Sequence, residues 1–466
     1  MQDSKTVEGK SKVHFKGQIK EKSDPVIGLK LLTYIDDYGR KINIIPKKGF
    51  SKKFSAMGIP FGSIDDYIYP GSRAMRLPAG SAHYMEHCVF SKEDDRNLLS
   101  KMTELGASAN AYTSFDHTMY YFSSSQNFDE ILDLYYNTVT NPVVDQARVD
   151  SERDIILQEL AMYMDNPDSR AFNSLAYSLY LKHPIKYDIG GTSASVKRIT
   201  SQHLAGAKSA FYNPLSVSLT LCGDVDEGNI PDLGSHPFFA GDFSNKNLRE
   251  DLRKNPQTAG SPGRNYNGEP DQIRDKEMKI YMDVAIQSFF VGYKIAGRNK
   301  QILQTPYEKM YRRTNMSVFL DTVLGETSDI YTQLFNEKLI NDSFGFSLVE
   351  VEGASYLVVG GESPNPQEAA EKVKKLFRNS LEEGVNQELE RDFDLKRKML
   401  AGSFVRRLDD IDSLGMLQAR ADLRGIDIFD YYNIYGNINI IKAYEDAYKS
   451  FDDELSSTVF VLAKEK

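Results

Sequence analysis

The chain has 466 residues, too many for one compact core, and so implies two or three domains. Hydrophobic and charged contents of 41% and 26% are those of a soluble globular protein, and the net charge of −9 disfavours nucleic acid while mildly favouring basic or neutral ligands. No apolar run approaches a membrane span, the N-terminus lacks a secretory h-region, and two cysteines, Cys88 and Cys222, make no disulfide framework. The default location on these grounds is a reducing cytoplasm.

In chain order, residues 1–25 read as a polar extension. Residues 29–34 and 41–46 are apolar-rich runs around a turn at 36–39 and predict a hairpin, with a third strand at 54–61. A loop containing Leu77-Pro78-Ala79-Gly80 leads into SAHYMEHCVF, residues 81–90. There His83, Glu86 and His87 form an H-x-x-E-H array. On a helix the two histidines are one turn apart and leave the same face, with the Glu86 carboxylate beside them. Two neutral imidazoles at that separation suit a tetrahedral Zn²⁺, and a neighbouring carboxylate can take a proton from the water that such an ion activates. Chance placement on a helix surface is the competing reading, but Met85, Cys88, Val89 and Phe90 imply a largely buried helix, where histidines need partners.

A helix over 95–105 ends at Gly106, and residues 107–125 predict two antiparallel strands turning near Phe115-Asp116. Residues 128–138 form an amphipathic helix. The next, 146–164, carries a stripe of Glu152, Ile155, Ile156, Glu159, Leu160 and Tyr163. Two carboxylates in an otherwise apolar stripe either meet a metal with its histidines or sit at the solvent edge, and periodicity leaves both open. A β-rich run at 215–222 follows. From about 234 to 276 the composition shifts to Gly, Pro, Asn and Asp, as in a linker.

The second half predicts a strand at 278–293, helices at 307–324 and 329–339, then strand, turn, strand, Asn-Pro and helix across 344–377. That order repeats residues 110–136. The fold class is therefore α+β: two homologous αβ modules, each a mostly antiparallel sheet with helices packed on one face. The expected divisions are an extension at 1–25, a metal-bearing module at 26–235, a linker at 236–276 and a second module at 277–466. The helix matching the motif in the second module, near 318–324, holds no histidine.

With the motif, the glutamate pair and this repeat in place, the chain resembles the pitrilysin/insulinase family of inverzincin peptidases, from about residue 27 to the C-terminus. The resemblance implies one Zn²⁺ per chain, with Glu159 as third ligand beside His83 and His87. It implies that Glu152 orients a ligand and that Glu86 is the catalytic base. Asn110-Ala111-Tyr112-Thr113, with His117-Thr118, resembles the edge strand on which substrate peptide adds as a further strand. The implied activity is that of a zinc metalloendopeptidase acting on peptides or unfolded polypeptide, with peptide maturation among its roles. A non-catalytic peptide-binding or scaffold subunit of the same fold is the alternative. Active members carry an Arg and a Tyr in a non-catalytic module. The corresponding stretch here, residues 333–340 leading to Phe344-Gly345-Phe346, has neither. That departure implies either that this chain cleaves poorly by itself or that it works as a heterodimer in which a homologous partner chain supplies both groups.

Overall fold

The structure, a computed structural model, describes residues 17–36, 40–69, 74–90, 98–225, 264, 268–295 and 304–464. The chain divides into two compact units, both discontinuous in sequence. The first comprises residues 1–157, 189–264 and 404–429; the second comprises 158–188, 265–403 and 430–466.

The first unit is built on a seven-stranded sheet. Its strands are β1 (Gly17–Asp24), β2 (Leu29–Asp36), β3 (Lys41–Pro46), β4 (Lys53–Ile59), β7 (Ala107–Thr113), β8 (Thr118–Ser124) and β9 (Ser218–Gly223). A short hairpin, β5 (Tyr67–Ile68) with β6 (Met75–Arg76), stands apart from it. The order is β1-β2-β3-β9-β4-β8-β7, antiparallel except where β3 runs parallel to β9. β7 is thus an edge strand, paired with β8 only.

β1 differs from the expected polar extension. It pairs with β2 over eight residues through backbone hydrogen bonds, which a polar, largely exposed edge strand can make without an apolar face. Residues 37–39 of the turn expected at 36–39, residues 1–16 of the expected extension, residues 95–97 of the helix expected over 95–105 and most of the expected linker lie outside the described residues.

Tyr120 and Phe122 of β8 point to one face of this sheet. They meet Phe90 of helix α1 (Ser81–Phe90) and Phe128 and Tyr135 of α3 (Phe128–Thr140); α2 (Leu98–Glu104) packs beside β7. Tyr212, which caps α7 (Ser201–Phe211), completes this face by sharing a hydrogen bond with Tyr120, 2.9 Å between the hydroxyls. Among the described residues the N-terminal half of the sequence also holds α4 (Gln146–Asp165), which passes into the second unit at residue 158, α5 (Pro167–Leu179), which belongs to the second unit, and the single turn α6 (Ser193–Val196).

The second unit carries a five-stranded sheet of β10 (Glu277–Met282), β11 (Ser288–Lys294), β12 (Gly345–Val351), β13 (Ala354–Glu362) and β14 (Ser456–Ala463), ordered β10-β14-β11-β13-β12. The single strand expected over 278–293 is two, β10 and β11, which are not neighbours: β14 lies between them. Among the described residues the C-terminal half of the sequence holds α8 (Pro306–Leu324), α9 (Asp329–Asn336), α10 (Pro366–Glu382), α11 (Gln387–Arg407), α12 (Ile411–Leu423), α13 (Ile428–Asn437) and α14 (Ile440–Ser450), of which the last residues of α11, all of α12 and the first residues of α13 belong to the first unit.

The exchange is mutual. α12 lies across β4 and β9, where a Cβ on Gly415 would sit 2.3 Å from the Phe54 ring, so only glycine lets the helix approach this closely. α5 lies across β11 and β14, with Leu175 against Gly292. Each sheet thereby receives on one face a helix from the other half of the sequence. The central strands are buried on both faces, as β9 is along its whole length, and division at one linker does not describe the packing.

Candidate active site

The local sequence fixes where the motif helix begins. Gly80 has φ +91° and a Cβ there would lie 2.3 Å from the Gly190 carbonyl oxygen; Gly191, φ +85°, faces Ala79 in the same way. Two glycines thus let the loop at 190–191 press against the start of α1. Tyr84, Met85 and Cys88 are fully buried, and Tyr84 Oη donates to the Val149 carbonyl of α4. This bond ties the two functional helices together. His83, Glu86 and His87 leave the partly exposed side of α1.

His83, His87 and Glu159 offer ligand atoms that all lie within 4.8 Å of one another. The imidazole centroids are 4.7 Å apart and the rings are inclined by 73°. Ligand atoms around a tetrahedral zinc are separated by about 3.3 Å, so closing this group on an ion takes small side-chain rotations. Two imidazoles and one carboxylate are a donor set used by catalytic zinc sites that keep a fourth position open.

The second glutamate of α4 takes a different place. Glu152 Oε2 is 3.4 Å from His87 Nδ1, and its side chain is only 12% exposed. A proton on Nδ1 directed at that carboxylate leaves the Nε2 lone pair for a ligand. Glu159 in turn accepts the Tyr163 hydroxyl at 2.9 Å, one turn along α4. The stripe predicted on this helix is mixed: Ile156 and Leu160 are buried, while Ile155 is 51% exposed. Helix spacing set the two carboxylates on one side, but contacts with α1 distinguish them.

Glu86 accepts the Thr113 hydroxyl at 2.5 Å. Thr113 belongs to β7, and alternation puts Ala111 and Thr113 on the face turned to α1, Asn110 and Tyr112 on the other. Asn110 Oδ1 holds the N–H of Ala111 at 2.8 Å, so that amide is engaged within the strand. His117 is 8% exposed and bonds Asp116 through Nδ1 at 2.6 Å. Burial pushes the Asp116 carboxyl up, but the His117 hydrogen bond and charge, with Arg424 and Arg264, hold it well below the usual carboxylate range. Cys88, inside the motif helix, is pushed up to about 12 by burial and by the Glu152 charge, so its thiol stays protonated.

Three residues near this site carry no motif signal. Tyr163 stood in the predicted stripe, and its i+4 spacing to Glu159 was the signal for the bond it makes there. Arg420 of α12, whose Nε donates to Tyr112 Oη at 2.8 Å, is 308 residues away in sequence and had none. Arg264 forms a two-pronged ion pair with the buried Asp65, 2.7 Å to each oxygen, from within the expected linker. Composition gave no hint of that anchor.

The fold is that of the M16-like peptidases. A putative M16-like peptidase from Alicyclobacillus acidocaldarius superposes with a TM-score of 0.80 at 24% identity, covering 94% of this chain and 99% of that one. Residues 64–193, which hold the whole histidine motif, match the insulinase family, peptidase family M16. The chain therefore carries a domain of the insulinase/pitrilysin family. Similar full-length relatives include the uncharacterized zinc protease YmfH of Bacillus subtilis, 28% identical over 91% of this chain and 94% of the relative. The zinc protease PqqE of Helicobacter pylori is 25% identical over 85% of this chain and 86% of its own length.

Proposed function

We propose that this chain is a zinc metalloendopeptidase that hydrolyses peptides or unfolded polypeptide segments. The observation that carries the reading is the convergence of His83, His87 and Glu159 within 4.8 Å, beside a Glu86 carboxylate held by the edge strand. Relatives named zinc proteases along nearly the whole chain support it.

In this reading His83, His87 and Glu159 would hold the zinc, and Glu152 fixes the His87 ring. Bound zinc supplies Lewis-acid polarisation of the scissile carbonyl and of the attacking water. Glu86 would serve as the base that takes a proton from an attacking water and passes it to the leaving amine, with Thr113 keeping the carboxylate aimed. A peptide laid along β7 is held by backbone hydrogen bonds, once Asn110 gives up the Ala111 amide.

The residues that follow α9, up to Phe344-Gly345-Phe346, provide no Arg or Tyr to fix the register of a bound peptide. A homologous partner chain providing both completes the reading as a heterodimer. The test is cleavage of an unfolded polypeptide with metal analysis of the same samples. The wild-type chain should hold one zinc and cleave with its partner, and Glu86→Gln should keep the metal while losing about 10²–10⁴ in rate. A wild-type chain that purifies without zinc and gains none on dialysis against it would instead mark a scaffold subunit.

A further inference from the structure

The far end of α12 brings a cation to the β7 edge, on the face turned away from α1. Arg420 donates Nε–H to Tyr112 Oη at 2.8 Å, and its guanidinium carbon lies 5.3 Å from the centre of the Tyr112 ring. The same hydroxyl is 3.3 Å from His117 Nε2. Arg420 is exposed, and among the described residues no carboxylate forms an ion pair with it. The neighbouring acids are otherwise engaged: Asp422 pairs with Lys41, and Asp116 with His117. Arg424, one turn further on, also bears electrostatically on Tyr112 and Asp116. Screening in physiological salt acts over about 8 Å, so a carboxylate beside Tyr112 responds to Arg420 next to it more than to the overall charge of −9.

We infer that Arg420 selects an acidic side chain in a peptide bound along β7. The inference rests on the peptidase reading for the peptide's place on the strand. Directly opposed residues of paired strands project to the same face, and a strand added to β7 would lie about 4.8 Å away. The side chain beside Tyr112 therefore emerges where Arg420 stands. Nε is committed to Tyr112, and a guanidinium keeps four N–H groups on its two Nη atoms, a fork that fits a carboxylate. Thr113, the next strand residue, is bonded to Glu86, so the selected position falls within a residue or two of the bond cleaved. A cation in the last turn of a helix is favoured by the helix dipole. That accounts for a positive residue at 420 but not for its alignment over an edge-strand tyrosine.

The experiment measures binding of fluorescent unfolded decapeptides to the zinc-loaded full chain carrying Glu86→Gln, so that turnover plays no part. One glutamate is moved along the peptide, with glutamine at the same positions as reference. We expect one position where glutamate binds about tenfold tighter than glutamine, an advantage that shrinks as salt is raised. Arg420→Glu should reverse the preference towards lysine, and Arg420→Lys should keep part of it; unchanged thermal midpoints establish that both variants fold. No preferred position, no binding, or a preference that survives Arg420→Glu overturns the inference. Cleavage by the wild-type chain without an acidic preference overturns it alone. The binding preference without any cleavage would uphold it and overturn the peptidase reading instead.

Discussion

Thr113 and Glu86 are 27 residues apart in the chain and 2.5 Å apart in space, joined by a hydroxyl on the β7 edge and a carboxylate on the motif helix. The strand proposed to hold substrate and the group proposed to move its proton are therefore mechanically one. Thr113→Val keeps the shape and removes the donor. We expect kcat for peptide cleavage to fall about tenfold, with zinc content unchanged and most of the loss restored by Thr113→Ser. A loss confined to KM would make Thr113 a substrate contact and nothing more.

The two glutamates of α4 should separate in metal affinity. Glu159→Gln removes a proposed ligand and should lose most of its zinc on mild dialysis. Glu152→Gln leaves the three ligands in place but frees the His87 ring, and should weaken affinity by roughly 10–100-fold. Elemental analysis of both variants checks this, and equal losses would erase the distinction drawn from the 3.4 Å contact.

The isolated chain should bind zinc yet cleave slowly. On the heterodimer reading the Arg and Tyr that hold the peptide close to the metal are missing from the isolated chain, and such positioning contributes several kcal/mol to lowering a barrier. Adding a homologous chain that carries the Arg and Tyr should raise turnover by about two orders of magnitude or more. Full activity from the purified chain alone would point to a clamp elsewhere in this sequence.

Glu269 should govern acid sensitivity in the second unit. Its carboxylate is buried, pairs with the buried Lys294 at 2.6 Å, and accepts the backbone N–H groups of Leu181, Lys182 and His183. Burial pushes the group up, but the Lys294 hydrogen bond and the three amides outweigh it and hold it below the ordinary range. Its stabilising contribution is therefore complete above the unfolded-state value of about 4.3 and is lost as pH falls through the lowered folded value. Glu269→Gln should cost about 3 kcal/mol at neutral pH and flatten that acid dependence. Hydrogen exchange at residues 181–183 reads it directly; unchanged protection there would refute it.

Both cysteines should be silent to thiol reagents. Cys88 and Cys222 are fully buried, and burial pushes each up to about 12. We expect no thiol to react with a mild aromatic disulfide at pH 8 in the folded chain and two to react after denaturation. Rapid loss of the Cys88 thiol in the native protein would show that the motif helix opens.

The sequence by itself determined the elements whose signal is local. The spacing of His83, Glu86 and His87 put three groups on one turn of α1, and the 3.6-residue period set Glu152 and Glu159 on one side of α4. Alternation and turn residues marked β7 and β8 within a residue or two. What only the tertiary structure decided is how these pieces are supported. Periodicity cannot tell a carboxylate that joins two histidines from one that braces a ring, because both lie on the same stripe; packing of α1 against α4 separates them. β1 has no apolar face to betray it, since its pairing is made by the backbone. The exchange of α5 and α12, and with it the placing of Arg420 beside Tyr112, comes from each sheet's need to cover its second face, and that need is met by residues hundreds of positions away.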